Sequence, residues 1–330
     1  MDVAKAAGVS FSTVSLALRY PLRVRPQTLQ KVQDAAAALG YERNPSASSL
    51  ASRGWQASQG TRASSIAYVT GGPSSGDPFS GRLRVECDRM GYGLEIVHLE
   101  QVAERGLLGR NLHARGCVGV VFGPVQKTQM VDDVNWSAFS LVRCNNDTAH
   151  LDVHRVESDV FEATWRVTSE AIRRGSRRIG LSLFRHERGF DDDVRRLGAF
   201  RTALEETAGV HAKSGPVFSH QGKWEQSRFL KWFKKNPVDA LVCFGVSEYY
   251  WLLEEGVRVP EDVSIVALNN AGDADNLVVT GCREDYEQIV LAAFRKCEQF
   301  IRSREKGFSA PAQVLNLPCL WNEGITLPWK

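Results

Sequence analysis

Gly71-Gly72-Pro73-Ser74-Ser75-Gly76 is a glycine and serine loop after an apolar run, a composition that can cradle phosphate on backbone N–H groups. It lacks the G-x-x-x-x-G-K-[ST] spacing, and no G-x-G-x-x-G occurs, so a loop at the rim of a cleft is the better reading. His150 and His154 stand four apart, but no Glu follows the first and a zinc site needs more ligands than these two. Asp191-Asp192-Asp193 could hold a cation, or simply open a helix, where acidic residues are favoured. No G-x-S-x-G elbow is present and no Cys–His pair can be assigned from spacing. The aromatic run from Trp224 to Phe233 has helical spacing and reads as packing. No nucleophile, base and oxyanion site can be assembled together, so the expectation is a protein without catalytic residues, metal or cofactor.

The more telling chemistry lies in the first 62 residues, which carry eight bases against three acids, while the rest of the chain is two charges to the acidic side. A basic head on a near-neutral body is the footprint of nucleic-acid binding, although a merely solvated basic surface would look the same. Three short helices can position its side chains. The first spans 2–7 and ends at Gly8, suited to a left-handed cap. Ser10 is a good N-cap for a second helix over 11–18. Val14, Ala17 and Leu18 share its inner face, and Phe11, Ser12, Ser15 and Arg19 the outer one. A third helix opens at Pro26 and runs to Leu39. Two short helices, a glycine turn and a presented polar face describe a DNA-reading helix-turn-helix.

The 330 residues are 43% hydrophobic and 24% charged, enough chain for two or three domains. Seven cysteines, an odd number with no C-x-x-C, argue against a disulfide framework and fit a reducing compartment. No run approaches 18 apolar residues, so no membrane partner is expected. Asp2, Lys5 and Gly8 interrupt any secretory leader. From Ser65 onward short apolar runs alternate with amphipathic stretches. Strands are expected over 66–70, 94–99, 118–122, 140–143, 179–184, 216–219, 240–244 and 264–268. Helices are expected over 79–90, 102–114, 127–134, 160–173, 193–207, 223–235, 247–255 and 286–304. Repeated βα units imply parallel sheets covered on both faces, here in two lobes with a cleft at the strand ends.

The head also carries a specific pattern. D-V-A-x-x-A-G-V-S-x-x-T-V-S over 2–15, then L-G-Y-x-x-N-P-x-A-x-x-L over 39–50, closely resembles the DNA-binding head of the LacI family of transcriptional regulators. By that resemblance Phe11 and Ser12 face base edges. Ser10, Thr13, Ser15, Thr28 and Asn44 match phosphate-contact positions, and Arg19 and Arg23 are basic residues at contact positions. Asn44-Pro45, continued by Ala47 and Leu50, would form a hinge helix on DNA. A helix so short needs a partner. In the family a leucine matching Leu50 wedges into the minor groove, in keeping with the general economy of minor-groove binders; packing against the third helix is the plainer alternative. Leu16 stands where many members have a base-reading Arg, so the operator cannot be borrowed from them. The start at Met1-Asp2 is shorter than usual for the family, and the linker over 54–65 longer and more polar.

The resemblance continues more loosely along the body, through Asp77-Pro78-Phe79, Ala171-Ile172, Arg196-Leu197, Gly222-x-Trp224 and the stretch over 256–268. It implies a small all-α helix-turn-helix head over 1–43, a hinge helix and linker over 44–63, and an α/β, periplasmic-binding-protein-like body over 64–330. Lobe 1 is expected at about 64–155 and 288–318, and lobe 2 at about 156–287 and 319–330, joined by three crossings and ending in a strand over 313–317. The implied effector-site residues are Ser158, Asp159, Arg196, Trp224, Phe244, Asn269 and Glu284. Arg196 would hold effector oxygens and Trp224 would stack on a ring, or Arg196 would be an ordinary salt-bridged residue. Phe244-Gly245, Asn269-Asn270 and Glu284 replace the family's usual Asn-Asp, Asp-Asp and Gln. That weakens a simple-sugar reading, because buried hydroxyls need acceptors. The expected partners are double-stranded operator DNA, a small-molecule effector and a second copy of the chain. A dimer is expected rather than a tetramer because no heptad tail follows the last strand. The expected location is cytoplasmic, with the bacterial nucleoid. A solute-binding protein using the same body without DNA is the rival reading.

Overall fold

The computed structural model describes residues 2–10, 13, 14, 17, 24–38, 64–71, 79–99, 102, 107–125, 131, 134–145, 151–185, 191–208, 215–270, 278–308 and 311–329. Two compact units divide the chain, Met1–Ala63 and Ser64–Lys330.

In the first unit, α1 (Asp2–Ala7) is followed by Gly8 at φ +63°, a left-handed turn that a side chain would strain. The Ser10 carbonyl accepts from the N–H groups of Thr13 (3.0 Å) and Val14 (3.1 Å), and its hydroxyl also accepts from Thr13 N–H at 3.2 Å. Thr13, Val14 and Ala17 are helical, as the capping serine requires. The third expected helix is α2 (Pro26–Ala38). Ala7, Val14, Ala17, Val32 and Ala35 form one buried cluster, with Val24 and Leu29 packed against it. The 3.6-residue spacing of small apolar side chains thus closes three short helices around one centre.

The second unit holds two six-stranded sheets. The first is built from β1 (Ser65–Thr70), β2 (Gly93–His98), β3 (Cys117–Phe122), β4 (Ser140–Cys144), β5 (His154–Ser158) and β11 (Val314–Leu317). Its order is β11-β5-β4-β3-β1-β2, and every pairing is parallel. The second contains β6 (Ile179–Arg185), β7 (Val217–Gln221), β8 (Ala240–Cys243), β9 (Ser264–Ala267), β10 (Gly281–Arg283) and β12 (Leu320–Asn322), in the order β12-β10-β9-β8-β6-β7. Here β12 departs from the expected all-parallel pattern and pairs antiparallel with β10. It reaches its sheet directly from β11 through Pro318 and Cys319, without the covering helix that a parallel return needs.

Helices cover both faces of each sheet, which is why the central strands read as unbroken apolar runs. On the first sheet, Val120, Phe122 and Leu141 pack with Leu108 and Leu112 of α4 (Leu107–Ala114) and with Trp136. The opposite face packs Tyr68, Val121 and Val142 with Leu83 of α3 (Ser80–Met90) and Phe294 of α9 (Tyr286–Ser303). On the second sheet, Leu181, Leu183 and Val242 meet Val167 of α5 (Val160–Arg173) and Phe200 of α6 (Asp191–Ala208). Leu241, Cys243 and Ile265 meet Phe229 of α7 (Gln226–Lys235) and Leu252 of α8 (Ser247–Glu254). The expected helix over 127–134 falls mostly outside the described residues, as does the first turn of that over 102–114.

Three crossings join the lobes. The first comes at Asp159, after β5 has paired with β4 and β11. The second comes at Asp285, whose side chain caps α9 by accepting from Gln288 N–H. Ile289, Phe294 and Cys297 of that helix are buried in the first lobe's core. The third is Pro318–Cys319. All seven cysteines are buried, and burial holds the thiols of Cys282 and Cys319 up at about 12.

Candidate functional site

Two sites follow from these folds, one in each unit. In the head, Ser10, Thr13 and Thr28 are the expected DNA contacts that the described residues include. Ser10 is exposed and its hydroxyl lies 2.8 Å from that of Thr13, so both sit at the N-terminus of the second helix. The positive end of the helix dipole and the two hydroxyls suit that place to a phosphate. Phe11, Ser12, Ser15, Arg19, Arg23, Asn44, Ala47 and Leu50 lie outside the described residues.

In the body, the expected effector residues gather at the C-terminal ends of strands and at the crossings. Arg196, on α6, is 6% exposed. Its guanidinium stands 3.7 Å from Asp193 and 3.8 Å from Glu284, and 5.0 Å from the ring centre of Phe244, which follows β8. Asn269 follows β9 and donates its backbone N–H to the Phe244 carbonyl at 3.1 Å. Trp224, in the turn after β7, is 41% exposed and has ring neighbours in Phe184 (5.1 Å), His220 (4.9 Å) and Phe244 (6.3 Å). Arg196, Trp224, Phe244, Asn269 and Glu284 are therefore brought together.

The other two are held by the frame. Ser158 ends β5, is buried and donates its N–H to Asn145 Oδ1 at 3.2 Å. Asp159 accepts from Glu162 N–H at 2.9 Å and donates to the Leu317 carbonyl at 2.8 Å, so it caps α5 and ties the first crossing to the third. A recess of about 210 Å³ opens where the crossings converge, lined by Ser158, Ile289, Leu317 and Pro318 among others.

Several residues of this region carry no sequence signal. Asn145, at φ +51°, reaches from the first lobe to Ser158 N–H and to Glu284 (3.5 Å). Phe184 supplies the ring between Trp224 and Phe244. Arg143 and Arg155 are opposite one another on β4 and β5, and burial, then the Arg155 charge, lower the pKa of the Arg143 guanidinium. Glu157 is 2% exposed and accepts from Arg195 of α6 at 2.7 Å. Charged residues within short strands break the apolar alternation that marks a strand, so β5 itself escaped the pattern. Beneath Trp224, the buried His220 accepts from Glu225 N–H on Nδ1. The proton is thereby placed on Nε2, which lies 3.4 Å from Glu248 without a hydrogen bond to it, while Glu248 accepts from the Ser182 hydroxyl at 2.7 Å.

Ring faces beside a buried guanidinium, with amide and carboxylate groups from both lobes, suit a small polar molecule with one flat or apolar face. His154 is committed elsewhere: Nδ1 accepts from Gln313 N–H (2.9 Å) and Nε2 faces Glu305 at 2.7 Å. His150 and Gly72 to Gly76 lie outside the described residues. Among the described residues no group of three or more His, Cys, Asp or Glu could hold a metal, and no helix is long and apolar enough to cross a membrane.

Comparison with known proteins gives two family matches. Residues 1–44 match the model of bacterial regulatory proteins, lacI family, and residues 168–326 match a periplasmic binding protein-like domain. Catabolite control protein A of Staphylococcus aureus is 23% identical over 282 residues, covering 82% of this chain and 81% of that protein. The HTH-type transcriptional regulator DegA of Bacillus subtilis is 23% identical over 287 residues, covering 82% and 80%. Among solved structures, the Lac repressor dimer bound to operator and the anti-inducer ONPF superposes with a TM-score of 0.59 at 16% identity, covering 99% of this chain and 98% of that one. The transcriptional regulator CelR–cellobiose complex gives 0.59 at 20%, covering 98% of each. At these identities the superpositions speak for the fold.

Proposed function

We propose that the chain is a member of the lacI family of bacterial regulatory proteins and represses transcription as a homodimer on a palindromic operator, under the control of a small molecule bound between its lobes. Sequence-specific DNA binding belongs to the head, and effector binding to the periplasmic-binding-protein-like body. The observation that carries the reading is the head itself, in which a capped second helix packs on α1 and α2 while Ser10 stays exposed. Two such heads on a two-fold axis meet two half-sites, so operator symmetry mirrors protein symmetry. The Lac repressor structure holds operator and the CelR structure holds cellobiose, which supports DNA and a sugar-sized molecule as the two partners here.

Arg196, Trp224, Phe244, Asn269 and Glu284 would contact the effector directly, with Ser158 and Asp159 shaping the crossing beside it. Family members regulate transcription rather than catalyse reactions, and no catalytic role is assigned to this chain. Its place of action would be the bacterial cytoplasm, at the chromosome. An effector shifts DNA affinity only by binding one lobe arrangement better than another.

The test is a selection of genomic DNA fragments with purified full-length protein at one fixed, moderate salt concentration. Enrichment of a palindromic site, lost when residues 1–62 are removed, is expected. Weak binding that ignores sequence and collapses with salt would reject the operator reading and favour a ligand-binding protein without specific DNA contacts.

A further inference from the structure

Glu157 lies in β5 of the first lobe and Arg195 in α6 of the second, yet they form a hydrogen-bonded ion pair at 2.7 Å. The Glu157 side chain is 3% exposed and that of Arg195 35%. On its other oxygen the carboxylate has Arg155 Nε at 2.9 Å, out of line for a hydrogen bond, and that oxygen makes none among the described residues. The best partner of a buried carboxylate therefore comes from the opposite lobe. An exposed ion pair would contribute little to holding two lobes together. A buried carboxylate differs, because losing its hydrogen-bonded partner leaves it with the Arg155 charge alone and no hydrogen bond among the described residues. Any separation of α6 from β5 incurs that loss.

We propose that Glu157 and Arg195 form a latch between the lobes, biasing the effector-free body toward the lobe arrangement of this structure. The latch itself is a property of the body. Its consequence, that it sets the population on which the effector acts, rests on the regulatory reading above.

The test uses the full-length chain without DNA or effector. Spin labels on Arg110→Cys of α4 and Lys231→Cys of α7, both exposed, report the distance between lobes, while the native thiols are buried. Arg195→Gln is expected to move the ratio of lobe arrangements at least about 3-fold. Glu157→Gln should shift it the same way, and the double variant no further than the larger single. Unchanged distance distributions in Arg195→Gln overturn the proposal, as do two single effects that simply add. Arg195 is partly exposed, so that variant decides the matter even if Glu157→Gln does not fold. Because neither DNA nor effector enters the measurement, its failure is distinct from failure of the genomic selection.

Discussion

Arg196, proposed above to contact the effector, is also a structural member of the second lobe. It is buried between Asp193 and Glu284, with its guanidinium against the Phe244 ring. A guanidinium so held is already oriented and gives up little freedom on meeting a polar ligand. Arg196→Ala is therefore expected to weaken effector binding about 10- to 100-fold, in line with a lost hydrogen bond to a charged group. Titration calorimetry with the ligand returned by a thermal-shift screen measures it, and an unchanged Kd would return Arg196 to an ordinary ion pair. For Leu50, which lies outside the described residues, the resemblance predicts a minor-groove wedge. Leu50→Ala should then lose more affinity for the operator than for unrelated DNA, roughly 100-fold more if about 3 kcal/mol of unstacking is at stake. Equal losses on both DNAs would leave it as packing. At this scale the sequence marked Arg196 and Trp224 through their motifs. It was silent on Asn145, Phe184, Glu157 and Arg195, because nothing in spacing says which charged strand residue will find a partner across a cleft.

Helices α3 and α9 illustrate what joins elements distant in sequence. Glu86 of α3 accepts from Arg89 at 2.7 Å and from Arg295 of α9 at 2.7 Å, above a core that includes Leu83, Cys87 and Phe294. Arg89, with Arg295 beyond it, holds the Glu86 carboxyl down at about 2 against the opposing push of burial. A carboxyl depressed on folding stabilises the protein above its ordinary value of 4.5, and the contribution disappears as pH falls toward 2. Glu86→Gln should cost about 1–2 kcal/mol near neutral pH, since both arginines are largely exposed, and much less at the acid end. Urea titrations at pH 7 and pH 3 would show the gap narrowing; a gap independent of pH would mean that packing, not charge, is lost. Long elements such as α5 and α9 were legible because their apolar period extends over several turns. By contrast β10 and β12 have three residues each, too few for any alternation, and β5 carries Arg155 and Glu157 where apolar residues would have marked it. The antiparallel pairing of β12 depends on where a short crossing delivers the chain, which no local pattern encodes.

For the whole molecule, a dimer on a palindrome makes a geometric demand that a monomer does not. Half-sites lie on a helix of about 10–10.5 base pairs per turn, so one inserted central pair turns one half-site by about 35° relative to the other. Such an insertion should weaken binding more than about 10-fold if both heads are engaged. Equal affinity for the two DNAs, measured by gel shift at fixed salt, would mean that each head reads alone. The thrice-crossed body bears on how the protein comes into being. The first lobe needs α9 to cover its sheet and β11 to complete it, and both follow all of the second lobe except its edge strand β12. A ribosome must therefore deliver residue 322 before the second lobe's sheet is complete, and residue 317 before the first lobe's is. Until then β5 waits with one edge open, a moment of vulnerability during translation that chaperones would have to guard.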